Sequence, residues 1–126
     1  MFEKLELTRM AQALAAHSGA RMGVIARNIA NADTPGYKAQ DLPPFAKVFD
    51  DEGAMRTTRP GHLGGGGSET PMQPQTAPGR EAPNGNTVSL EGEMVKSVEV
   101  RQSHEMALAV YRATSDVIRA SLGRSR

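Results

Sequence analysis

The chain has 126 residues, with 15 Lys and Arg against 14 Asp and Glu, a formal net charge of +1. So even a balance offers no basic stripe for gripping nucleic acid or an anionic membrane, and the absence of Cys excludes disulfides and thiolate metal sites. Hydrophobic residues make up 38% and aromatic residues 4%, which allows one domain at most and a thin self-contained core. The longest unbroken apolar run, Met106 to Tyr111, is six residues, too short to span a bilayer. Near the N-terminus, Glu3, Lys4, Glu6 and Arg9 stand where a secretory signal needs an apolar stretch. The expected chain is cytosolic, or leaves the cell without a cleaved signal.

Residues 1–33 read as a first helix, Ala-rich and free of Pro. Leu7, Ala11, Leu14, Ser18, Met22, Ile25 and Ile29 recur at steps of three and four, an eleven-residue repeat at 7, 18 and 29. Eleven residues in three turns is about 3.67 per turn, close to a straight helix. The stripe is narrow, which suits packing along the length of another helix rather than on a broad core. Ala15, Gly19 and Gly23 share one face; they read either as a tolerated weak spot or as a flat strip for close approach of a second helix.

The first helix ends at Asn28-Ile29-Ala30-Asn31-Ala32-Asp33-Thr34-Pro35-Gly36-Tyr37-Lys38. Pro35-Gly36 predicts a type II turn, with Gly36 at positive φ, and Thr34 before a proline is pushed from helical angles. Asn28 and Asn31 are too polar for ordinary core. They bond either the freed carbonyls of the helix end, or the following turn or a neighbouring subunit. Leu42 to Phe49 alternates around two prolines, reading as a short edge strand or an extended clasp.

From 34 to 87 the helical pattern dissolves. Eight Gly and five Pro fall among the 34 residues from Gly53 to Asn86, including Gly64 to Gly67, a density that holds neither helix nor central strand. Residues 88–126 resume a Pro-free helical pattern. Val95, Val98, Gln102, Met106, Ala109, Ala113, Val117 and Ala120 again follow eleven-residue spacing, at 95, 106 and 117. Glu91, Glu93, Glu99, Lys96, Arg101 and Arg112 read as ordinary exposed helix charges, and Arg119, Arg124 and Arg126 suit the C-terminal end of the dipole. The expected fold is mainly α. Two long terminal helices, about 45 and 50 Å, pack as a coiled-coil-like pair, antiparallel or crossed. A long irregular Gly/Pro-rich segment with at most short β-strands joins them. Neighbouring copies, or the middle segment folded over as cover, complete the packing.

No constellation for chemistry emerges. His17, His62 and His104 are far apart, and neither a metal-binding helix motif, a nucleophile elbow, a P-loop nor a dinucleotide fingerprint occurs. No catalytic, cofactor-binding or metal-ligating residue is assigned.

The motif Asn28, Ile29, Ala30, Asn31, Thr34, Pro35, Gly36, Tyr37 and Lys38, together with LEGEMVKSVEVRQSHEMALAVYRATSDVIRASLG near the C-terminus, resembles the flagellar basal-body rod proteins. Their hallmark is a first helix ending in N-(I/L)-A-N-x-x-T-P-G-Y-(K/R). Short length, Asp41, Pro43 and Phe45 after the motif, and Leu90, Glu91, Glu93, Met94, Gln102 and Tyr111 in the second helix are similar to the proximal members of that family. The likeness covers about residues 1–50 and 85–123, and Gly92 departs from it, standing where a helix former is usual.

The resemblance implies a structural subunit rather than an enzyme, without cofactor. It implies export, unfolded or nearly so, by the flagellar type III apparatus, then helical assembly into the rod across the periplasmic space. Implied partners are copies of itself, a FlgC-like rod protein distally, a FliE-like protein at the base, and the export apparatus, with no nucleic acid and no membrane insertion. On that reading Leu7, Leu14, Met22, Ile25, Ile29, Val95, Val98, Met106, Ala109 and Val117 form the assembly interface, and the motif residues set the turn that sends the chain outward. The alternatives are another rod protein, FlgC-like, or a cytosolic helical adaptor or secretion chaperone holding a partner helix in an apolar groove.

Overall fold

The computed structural model describes residues 2–53 and 72–123, with side chains up to Phe49 in the first stretch. The glycine run Gly64–Gly67, His62, Arg124 and Arg126 lie outside the described residues. Two long helices dominate: α1, Phe2–Ala30, and α3, Leu90–Gly123. Each carries charge that suits its dipole, Glu3 and Arg27 at opposite ends of α1 and Glu91 and Glu93 in the first turn of α3. Ser89 caps α3: its Oγ accepts from the Gly92 amide at 3.3 Å and its carbonyl from the Glu93 amide at 2.9 Å. Gly92 sits within this cap, where an added Cβ would come 3.3 Å from Ser89 Oγ.

The helices run antiparallel, since Asn28 at the end of α1 bonds Glu93 at the start of α3, while Leu14 and Ser18 share a cleft with Val100 and Ser103. The buried residues of α3 are Glu93, Val100, Ala107 and Thr114; those of α1 include Ala11, Ser18 and Ile25. Both sets step by seven, the 3.5-residue period of a left-handed helix pair. Within the chain this seam replaces the eleven-residue stripe expected of the second helix, which lies outside it. Thr114 and Glu93 can hold the seam because their polar atoms are hydrogen-bonded. Thr114 Oγ1 donates to the Val110 carbonyl at 2.8 Å, and Glu93 is held by Asn28 and Lys96. Ala107 is small enough for close approach.

Between the helices, β1, Gln40–Asp41, pairs antiparallel with β2, Gln75–Thr76, Gln40 opposite Thr76 and Asp41 opposite Gln75. The Ala77 amide extends the ladder to the Ala39 carbonyl at 2.8 Å. The segment expected as an edge strand or extended clasp is instead largely helical: α2 spans Phe45–Gly53. The prolines lie just ahead of it, where a missing N–H breaks no helical bond, and the Pro44 carbonyl accepts from the Lys47 and Val48 amides. Phe45, Val48 and Phe49, at helical spacing, form its apolar face. Phe45 meets the His17 ring edge-on at 5.7 Å and Phe49 lies under the Arg9 guanidinium at 5.9 Å. Among the described residues no helix is long and apolar enough to cross a membrane.

Candidate assembly surface and the joint behind it

The turn after α1 is built by its own backbone and by a distant loop. Gly36 has φ of +72° and the Tyr37 amide bonds the Thr34 carbonyl at 3.3 Å, the type II arrangement expected of Pro35-Gly36. A second turn closes on it from residues 82–86. There the Gly85 amide donates to the Ala82 carbonyl, the Ala82 amide donates to Asn86, and Gly85 takes φ of +83°. The two positive-φ glycines meet directly: a Cβ on Gly85 would fall 3.3 Å from Gly36 Cα.

Two asparagines close the helix end in different ways. Asn31 donates back to the Arg27 carbonyl at 2.8 Å and accepts from Thr34 Oγ1. Asn86, almost fully buried, places its amide nitrogen within 2.9 Å of the carbonyls of Asn31, Ala32 and Thr34. Its Oδ1 accepts from the Val88 amide at 2.7 Å. It therefore ties the turn that follows α1 to the returning chain, adding a donor to the carbonyls of Asn31 and Thr34, which also accept the Thr34 and Tyr37 amides. Sequence reasoning missed Asn86; the Asn84-Gly85-Asn86 turn signal was the available clue.

Asn28 is fully buried and joins three elements. Its amide nitrogen donates to the Gln40 carbonyl at 2.7 Å and to Glu93 Oε2 at 3.1 Å. Its oxygen accepts from the Gln40 amide at 3.1 Å and from Tyr37 Oη at 3.3 Å. Thr87 Oγ1 accepts from the Ala39 amide, and Lys38 reaches the Gly85 carbonyl and, at 3.1 Å, Glu81. Glu93, expected as an ordinary exposed charge, is only 2% exposed. Both its oxygens accept, the first from Asn28 and the second from Lys96 at 2.9 Å, so its buried polar atoms have partners. Lys96 likewise belongs to this joint and also stands 3.8 Å from Asp41.

Asp41 completes the cluster. Arg21 holds it through two bonds, Nε to Oδ1 at 2.8 Å and Nη2 to Oδ2 at 2.9 Å, and the Leu42 amide adds a third. Burial works against ionisation of Asp41, but the bonds from Arg21 and Leu42, with the charges of Arg21 and Lys96, outweigh it and hold its pKa below the ordinary carboxylate range. The bond to Asp41 raises the Arg21 pKa above its usual value against the opposing effect of burial.

Large apolar side chains stand exposed on the outer surfaces. Val95, Val98 and Met106 are 60%, 68% and 57% exposed, and Ala109 and Val117 are also exposed along the same side of α3. On α1, Leu7 and Ile29 are exposed and Leu14 and Met22 half-buried, whereas Ile25 is closed off within the pair. Ala30, Thr34, Pro35 and Gly36 face solvent around the joint. Gly19 and Gly23 have open space where a Cβ would stand. The geometry separates a polar joint, which fixes the relation of the helices to the returning chain, from long flanks with apolar side chains that the described residues leave uncovered.

Residues 10–38 match the family described as Flagella basal body rod protein, a span that runs from the α1 seam through the whole joint motif. A protein from Agrobacterium fabrum (strain C58 / ATCC 33970) described as flagellar basal body rod protein FlgB is 31% identical over 116 residues, covering 82% of this chain and 83% of that relative. The likeness thus extends over the helices as well as the motif, and the chain belongs to the flagellar basal-body rod protein family as a FlgB-like structural component of the rod.

Proposed function

We propose that this subunit is exported through the flagellar type III apparatus and assembles helically into the proximal rod, in the periplasmic space, through the outer faces of α1 and α3. The observation that carries the reading is the exposure of Val95, Val98, Met106 and Val117 along one side of a helix whose opposite side is already packed. Leu7 and Ile29 of α1 extend that contact surface, while Leu14, Met22 and Ile25 shape the pair that presents it. Asn28, Asn31, Pro35, Gly36 and Tyr37 fix where the chain leaves the helix layer.

Magnitudes favour many neighbours over one. Covering four such half-exposed side chains yields about 1 kcal/mol each, or about 4 kcal/mol, which only matches the lower range of about 4–15 kcal/mol lost on association. One stripe does not hold two copies together; several shared stripes in a tube do. The partners in this reading are further copies, a FlgC-like subunit distally and a FliE-like protein at the base. The test is mass spectrometry of purified, detergent-washed hook–basal bodies. Recovery of the chain at a few copies per structure supports the rod role; its absence from intact basal bodies, with the protein found in cytosol, overturns it in favour of a cytosolic adaptor.

A further inference from the structure

The chain has four asparagines, and Asn84 alone stands before a glycine. That pairing has a chemistry of its own. The main-chain nitrogen of the following residue can attack the asparagine side-chain carbon, and a glycine there, lacking Cβ, obstructs the attack least. Asn28 and Asn86 precede the β-branched Ile29 and Thr87, and both are buried in the joint. Asn31 is half-buried and precedes Ala32, whereas Asn84 is exposed. In the folded chain, however, the reacting groups of Asn84 and Gly85 are engaged. The Gly85 amide donates to the Ala82 carbonyl at 2.8 Å, and the Asn84 carbonyl accepts from the Gly36 amide at 2.9 Å. Asn84 Oδ1 accepts from the Asn86 amide at 3.1 Å.

We propose that Asn84-Gly85 is a spontaneous modification site gated by the joint: closed while the two turns are docked, and open to deamidation when the chain is unfolded. In the open chain the Gly85 nitrogen loses its proton and attacks Asn84 Cγ. The N–Cγ bond forms, the Cγ–Nδ2 bond breaks, and ammonia leaves with a proton equivalent to the one the amide lost, giving a cyclic succinimide. Water then opens the ring. Attack at Cγ leaves an ordinary aspartate; attack at the main-chain carbonyl leaves isoaspartate, in which the chain runs on through Cβ and Cγ. Nothing is oxidised or reduced. The docked turns block the first step, because the N–H bonded to Ala82 must open before it gives up its proton, the same local opening that amide hydrogen exchange reports. The two products differ in consequence. Aspartate keeps a side-chain oxygen for the Asn86 amide. Isoaspartate inserts a carbon between Asn84 and Gly85, which displaces Gly85 from its contact with Gly36 and Asn86 from the carbonyls of Asn31, Ala32 and Thr34. The inference rests on the joint and not on the export reading; under that reading, the site also records the time a subunit spends unfolded before assembly.

The test is peptide mapping by mass spectrometry of the full chain, held at mildly alkaline pH in buffer alone or in concentrated urea, with circular dichroism verifying the helices in buffer. The expected result is loss of the Asn84 side-chain amide at least about tenfold faster in urea. That factor corresponds to about 1.4 kcal/mol of opening, little more than the net worth of one hydrogen bond. In urea Asn84 also reacts faster than Asn28, Asn31 or Asn86. Asn86→Ala, which loosens the second turn, raises the Asn84 rate in buffer alone. Equal Asn84 rates in the two samples overturn the proposal, as does a rate in urea no higher than at the other asparagines. Should Asn86→Ala not fold, the comparison on the parent chain decides alone. The consequence is read on the urea-aged chain after refolding: the isoaspartate fraction unfolds at lower urea than both the parent and Asn84→Asp. An isoaspartate fraction whose unfolding superimposes on that of Asn84→Asp refutes the displaced joint.

Discussion

Asn28→Ala tests the joint most directly. The side chain is fully buried and makes four hydrogen bonds. The two to Gln40 contribute about 1 kcal/mol each, the one to the Glu93 carboxylate about 2, and the 3.3 Å bond from Tyr37 the least. Removing them together costs about 4 kcal/mol, because Ala leaves a carboxylate and a backbone pair buried without this partner. That is a large share of a stability in the range of about 5–15 kcal/mol. Urea unfolding followed by circular dichroism, compared with Asn31→Ala, measures it. Asn31 makes an exposed bond to its own helix, so its loss costs about 1 kcal/mol or less. Asn28→Ala within 1 kcal/mol of the parent, or an equal cost at Asn31, refutes the reasoning.

Val98→Asp is expected to change stability by no more than about 0.5 kcal/mol, since the residue is exposed, yet to abolish motility in swimming assays; normal swimming removes Val98 from the assembly surface. Ile25→Asp instead buries a charge in the seam and unfolds the pair, at about 4 kcal/mol or more; a cooperative native-like melt in the variant contradicts this. Asn86→Ala strips the carbonyls of Asn31, Ala32 and Thr34 of a shared donor and costs about 2 kcal/mol, to be read by chemical denaturation. Gly85→Ala combines positive φ with the close approach to Gly36 and costs about 1–2 kcal/mol from the backbone alone; an unchanged melting temperature would speak against the contact.

The long helices were legible because they are Pro-free and periodic, and the Pro35-Gly36 turn because only Gly supplies its positive φ cheaply. Less could be read of what the polar residues meet. Asn28 stood out, but one of its partners, Glu93, lies 65 residues away, and no local pattern announces so distant a bond. The seam of α3 misled for a physical reason. Hydrophobicity marks surfaces that are buried somewhere, and Val95, Val98 and Met106 carry more of it than Glu93, Ala107 and Thr114, although the latter three are buried in this chain. The period of the apolar residues therefore described the uncovered flank. The helix α2 was missed because Pro43-Pro44 reads as a strand-edge signal when the segment is taken alone, whereas the same prolines are compatible with a helix start.

The meeting of Gly36 and Gly85 has an evolutionary side. At these glycines the two turns touch through bare backbone, and the Gly36 amide donates to the Asn84 carbonyl at 2.9 Å, so the contact leaves little room for a side chain at position 85. A side chain at position 85 presses on position 36, 49 residues earlier. The two sites are therefore epistatic: the cost of changing both differs from the sum of the separate costs. A lineage escapes from these two glycines only by rebuilding both turns together.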